Sequence, residues 1–158
     1  MYQDSSSATA ASATILIRLS VGAVFLSEGI QKFLFPADVG AGRLVRIGIP
    51  APEIMGPLVG VTEIVCGALI LLGLFTRLAA LPIIGIMLVA ILTTKIPVLI
   101  GQDLGPFQVR TLQRYGFWSM AHESRTDFAM LMGSLFLAWV GGGRWTLDEM
   151  RRRRKSWD

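Results

Sequence analysis

Cysteine and histidine are almost missing from this chain: Cys66 and His122 are its single examples. One cysteine leaves no internal disulfide framework and no CxxC pair, and thiol–disulfide exchange would need a second thiol from elsewhere. One histidine cannot supply both axial ligands of a b-type haem. Metal sites recruit several His, Cys or carboxylate ligands at set spacings, and the carboxylates here are interrupted by lysines, so neither a metal nor an intrinsic cofactor is expected. No glycine-rich phosphate loop leads from a strand into a helix. Together these absences argue against a self-sufficient redox enzyme.

Charge is scarce as well. Asp, Glu, Lys and Arg make up 16% of the residues, against roughly 25% in soluble proteins. The formal net charge of +4 does not signal nucleic acid, because six of the fifteen basic residues fall in the last fifteen positions. The start, MYQDSSSATAASAT, carries Asp4 and no basic residue, so no secretory signal peptide is expected.

What the chain has in abundance is apolar length. Its residues are 53% hydrophobic and its mean hydropathy is +0.57. The run LVGVTEIVCGALILLGLFTRLAAL over residues 58–81 is nearly unbroken and contains one carboxylate, Glu63. About 20 apolar residues cross a bilayer at 1.5 Å per residue. Four such segments are read, at residues 14–35, 53–75, 78–100 and 123–140. The expected fold is therefore all-α, a four-helix transmembrane bundle. The domain division is a mobile Ser/Ala/Thr-rich segment at 1–13, a membrane domain at 14–147 and a basic tail at 148–158. Pro36 stops the first segment, Pro50 and Pro52 precede the second, and Pro97 is expected to kink or end the third near Lys95. Four crossings put both termini on one side, and the block Arg151, Arg152, Arg153, Arg154 and Lys155 assigns that side to the cytoplasm, in contact with anionic lipid.

Ionisable groups inside apolar spans are costly and need partners or a watery pocket. Glu28 and Lys32 lie one helical turn apart, Glu63 sits in the second span, Lys95 is near the end of the third, and Glu123 and Asp127 lie one turn apart at the start of the fourth. Arg18 falls toward the opposite end. Arg18, Gly22, Phe25, Gly29 and Lys32 form one stripe at helical spacing, whose small residues allow close helix approach. The pairing expected is Lys32 between Glu28 and Glu63, with Glu123 and Asp127 neutralising Lys95. Such a cluster reads either as ion pairs that fix helix register or as a polar pocket for a headgroup or a proton.

The motifs ILIRLSVGAVFLSEGIQKF, RIGIPAPEIMGPLVGVTEIVCGALILLGLFTRLAAL, MLVAILTTKIP and GGGRWTLD, in that order, resemble the DoxX family over about residues 15–148. The resemblance implies a four-helix integral membrane protein of a prokaryotic inner membrane. Relatives of that kind include the smaller subunit of a thiosulfate:quinone oxidoreductase, and others associate with soluble redox or sulfur-handling enzymes. Arg18, Lys32 and Glu63 match the family's polar positions in its first two spans, and Glu123 its acidic start of the last. Gly141-Gly142-Gly143 stands where the family often has Gly-Pro-Gly or Gly-Ala-Gly. Three functions follow as expectations. The first is a non-catalytic accessory subunit of a quinone-linked oxidoreductase, with a protein partner. The second is a binder or carrier of a small lipophilic or anionic molecule. The third is a quinone-reactive enzyme, with Glu28, Glu63 or Glu123 accepting protons and Lys32 contacting the headgroup. Glycine-bearing faces leave a homo-oligomer open.

Overall fold

The computed structural model describes the backbone of residues 2–150 and the side chains of residues 12–150. Six α-helices account for most of it: α1 (Tyr2–Leu34), α2 (Ala41–Ile47), α3 (Pro52–Leu72), α4 (Thr76–Ala90), α5 (Ile96–Ile100) and α6 (Phe117–Val140). Between α4 and α5 the chain makes one wide π-helical turn, Ile91–Lys95. α1 thus begins well ahead of residue 14, and its membrane-length apolar part is Ser12–Leu34.

Local chemistry sets the boundaries. Pro36 has no N–H to continue α1. α3 opens with Pro52 in its first turn, where a missing N–H costs nothing. It closes at Gly73, whose φ of +66° lets its N–H and that of Leu74 reach back to the carbonyls of Ile70 and Leu69. The Pro97 ring leaves the preceding turn without one α-helical N–H, and the chain widens to the π turn just before it instead of ending. The hydroxyls of Thr93 and Thr94 donate within this turn to the carbonyls of Val89 and Ala90, at 2.8 and 2.6 Å. Helix then resumes, so Thr76–Ile100 forms one continuous apolar span.

Among the described residues three helices, not four, are long and apolar enough to cross a membrane: Ser12–Leu34, Pro52–Leu72 and Thr76–Ile100. The expected four-span bundle is corrected on this point. α6 has the length, but it starts at Phe117 rather than at residue 123, and every 18-residue stretch of it includes Glu123, Arg125 and Asp127. Each such charge costs roughly 2.5–3.5 kcal/mol at a membrane centre on insertion scales. The placement of both termini on one cytoplasmic side rested on an even number of crossings and falls with the fourth span.

α1 packs along α3, α4 along both α3 and α6, and α6 also meets α1. The glycines explain the closeness of α1 and α3. A Cβ on Gly29 would lie 2.7 Å from the Gly60 carbonyl, and one on Gly67 would lie 2.6 Å from the Leu26 nitrogen. Val21, Phe25, Ile70, Ala80, Ile83 and Leu137 form the centre of the core. Large apolar side chains such as Leu16, Leu78 and Leu88 point outward instead. An apolar exterior of this extent is stable only against lipid.

Candidate functional site

The charged residues singled out from the sequence separate into three places. The first is the α1–α3 interface. Lys32 Nζ lies 2.6 Å from Glu63 Oε2 and 3.9 Å from Glu28 Oε2. The Glu63 side chain is 4% exposed and that of Lys32 12%, so this pair is buried, while Glu28 at 43% sits at its rim. Gly60, one turn before Glu63, lets α1 pack closely beside the pair; a Cβ there would sit 2.8 Å from the Phe33 ring, next to Lys32. A buried pair has this geometry because each charge would be costly alone.

The second place joins the π turn to α6 and the long connector. Lys95 ends the wide turn, and its ammonium lies 2.9 Å from Asp127 Oδ2. Glu123, expected to share in neutralising Lys95, instead accepts from Arg110 Nη1 at 3.1 Å. Lys95, Arg110 and Glu123 line a cleft of about 640 Å³ together with Arg43 and Arg46 of α2. The connector is held against α2 by the Gln108 N–H, which donates to the Ile47 carbonyl at 2.9 Å.

The third place is the other end of the bundle, where Arg18 stands alone among these residues. It is 14 positions before Lys32, about 21 Å along α1. Its guanidinium is buried and spent on carbonyl oxygens: Nε donates to Ile70 at 3.1 Å, Nη2 to Leu71 at 2.7 Å, and Nη1 to Trp145 at 3.1 Å. A cation here complements the partial negative charge at the C-terminus of α3. Asp148 completes the arrangement by accepting from the Phe75 N–H at 2.7 Å, just where α4 begins. The RWTLD part of the GGGRWTLD motif is therefore a clamp over the α3–α4 link. Gly142 is required beneath it, since a Cβ there would lie 2.7 Å from both Thr146 and Thr76 side-chain atoms. Arg77 performs a smaller version of the same task, donating to the Val140 carbonyl at the end of α6 at 3.3 Å.

Sequence reasoning did not single out Arg43, Arg46 and Arg110 as site residues, and placed them only in connectors at the membrane surface. Their convergence on Lys95 depends on how two connectors fold over one another, and no spacing rule encodes it. Trp145 was read from the sequence only as an interface anchor and Asp148 only as part of a motif, because one acts here through a backbone carbonyl and the other caps a helix distant in sequence. The tail residues Arg151, Arg152, Arg153, Arg154 and Lys155 lie outside the described residues. No group of three or more His, Cys, Asp or Glu suited to a metal ion occurs among the described residues.

Comparison with known proteins agrees with this architecture. The chain is 53% identical over 142 residues to an uncharacterized membrane protein of Mycobacterium tuberculosis, covering 90% of this chain and 83% of that protein. No solved structure matches it. The DoxX family model matches residues 13–96, which include α2, α3 and α4 and the buried Lys32–Glu63 pair. With three membrane-length helices and that match in place, the chain is a multi-pass integral membrane protein that belongs to the DoxX family.

Proposed function

We propose that the chain is a non-catalytic membrane subunit that holds a quinone-linked oxidoreductase at a prokaryotic inner membrane. One observation carries this reading: the buried charges of the described spans are matched to an opposite charge or to backbone carbonyls. Lys32 is committed to Glu63, Lys95 to Asp127 and Arg18 to the ends of α3 and the clamp. Groups held in this way fix helix positions, with their charges already spent on partners inside the protein. The cleft beside Lys95 fits a neutral quinone ring poorly. It is walled by guanidinium groups and short aliphatic side chains with no aromatic surface, and the Thr94 hydroxyl is engaged by Ala90. Redox chemistry is accordingly assigned to a partner, and no catalytic step is assigned to this chain. Family likeness points to the setting but not to the reaction.

The reading is tested by purifying the protein at native expression level in mild detergent and assaying quinone reduction. A stoichiometric cofactor-bearing partner, with activity that follows the complex and is absent from the isolated chain, is the expected result. Quinone-dependent turnover by the isolated chain would overturn it and make Glu63 the first residue to replace.

A further inference from the structure

We infer that the cleft between α2, the π turn and the connector 101–116 binds the headgroup of an anionic phospholipid, with Arg43 as its principal contact. Charge balance is the first support. Of the four cations around the cleft, Lys95 and Arg110 are neutralised by Asp127 and Glu123. Arg43 and Arg46 form no ion pair with a described carboxylate. Arg46 donates to the carbonyls of Ala37 and Asp38 at 2.9 and 2.7 Å, which pins its guanidinium in place. The Asp38 carboxylate also lines the cleft, so its four cations exceed Asp38, Glu123 and Asp127 by one positive charge. Arg43 is exposed and makes no hydrogen bond to a described group, so its five N–H donors are open to an occupant of the cleft. A net positive cleft that carries two planar guanidinium forks suits a phosphate diester better than a neutral headgroup.

Position is the second support. α1 ends, α3 begins, α5 ends and α6 begins at this end of the molecule, so the cleft lies where the apolar spans run out and headgroups start. Exposed Phe35, Tyr115, Phe117 and Trp118 mark the same level, as aromatic side chains do at membrane interfaces. The cleft also has an apolar side: Val39, Ile47, Val98 and Val109 line it together with the cations. An ion from solution needs no such wall, whereas the glycerol and first acyl carbons of a lipid do. The Gln108–Ile47 hydrogen bond and the Arg46 contacts order the cleft in advance, which lowers the entropic cost of binding. The inference is independent of whether an oxidoreductase docks, and the purification described above neither requires nor excludes it.

The test is calorimetric titration of the full chain, in nonionic detergent, with dihexanoyl phosphatidylglycerol, dihexanoyl phosphatidylcholine and inorganic phosphate. Saturable binding of the phosphatidylglycerol alone is expected, weakened about fivefold or more in Arg43→Gln and largely kept in Arg43→Lys. Arg77→Gln, at the other end of the bundle, should bind as the natural chain does. Unfolding midpoints of the variants establish that each is folded; Arg43 is exposed, so its replacement removes no core packing. Equal binding of phosphatidylcholine, or undiminished binding by Arg43→Gln, would overturn the inference. Inorganic phosphate binding as tightly as the phosphatidylglycerol would also overturn it and identify a soluble anion site.

Discussion

Glu63 and Arg18 show two ways in which one residue keeps a charge inside an apolar bundle. Glu63 relies on a single side-chain partner, Lys32 at 2.6 Å, with Glu28 too distant at 3.9 Å to replace it. Glu63→Gln is therefore expected to lower stability by about 3 kcal/mol, because it strands a buried ammonium. Adding Lys32→Met should recover most of that loss, and unfolding in mixed detergent micelles measures both. If the double variant is no more stable than the single one, the pair does not carry the cost. Arg18 depends on geometry more than on charge. Its fork reaches three carbonyls on two segments of backbone, so Arg18→Met should cost about 3 kcal/mol and Arg18→Lys should restore less than half of it, since an ammonium cannot span the same carbonyls. The two residues also differ in how far they could be read in advance. Lys32 and Glu63 could be placed together from helical spacing, a glycine stripe and the need of each charge for an opposite. The partners of Arg18 are carbonyl oxygens, which every residue carries, so nothing in the sequence distinguishes them.

At the scale of elements, the glycines decide which helices touch. Gly29 faces backbone atoms of α3, and backbone cannot move aside as a flexible side chain can. Gly29→Ala should separate α1 from α3 and cost about 2 kcal/mol by overpacking. Gly85 lies in α4 with no atom within 4 Å of an added Cβ, so Gly85→Ala should be neutral or stabilise by up to about 1 kcal/mol through helix propensity. Equal losses from both substitutions would mean that close contact with α3 does not set the cost at Gly29. The α1, α3 and α4 spans were legible because hydropathy and length agree over more than 20 residues. The start of α6 was not. Its first turns, with Ser119 and His122, read as connector on hydropathy, and the helix instead follows Gly116 at a φ of +105°. The π turn was equally hidden: Pro97 announces a disturbance, but whether the helix stops or widens depends on what packs around it, here Asp127 holding Lys95.

For the whole molecule, the distribution of charge along α6 is what separates it from the other long helices. Three charges occupy a region in its first half, and its buried contacts come only later, at Leu131, Ser134 and Leu137. The apolar span Thr76–Ile100 has no such region: Leu88 is exposed on its surface, which the hydropathy of the span assigns to lipid. The contrast can be measured by thiol labelling, because a maleimide reacts with a hydrated thiolate and not with a thiol in hydrocarbon. Cys66 is buried and is first replaced by alanine, leaving a chain without thiols. In membrane vesicles open to reagent on both faces, Arg125→Cys should then react readily with a membrane-impermeant maleimide. Leu88→Cys should stay unlabelled until the membrane is dissolved. Labelling at both positions would show that Thr76–Ile100 is not embedded, and the three-span architecture would fail. Protection at both would place the first turns of α6 in hydrocarbon, where Glu123, Arg125 and Asp127 could persist only with every charge paired. Lys95 and Arg110 supply partners for the two carboxylates, but Arg125 contacts only the His122 ring among the described groups. That missing counter-charge is why labelling at position 125 is the expected outcome.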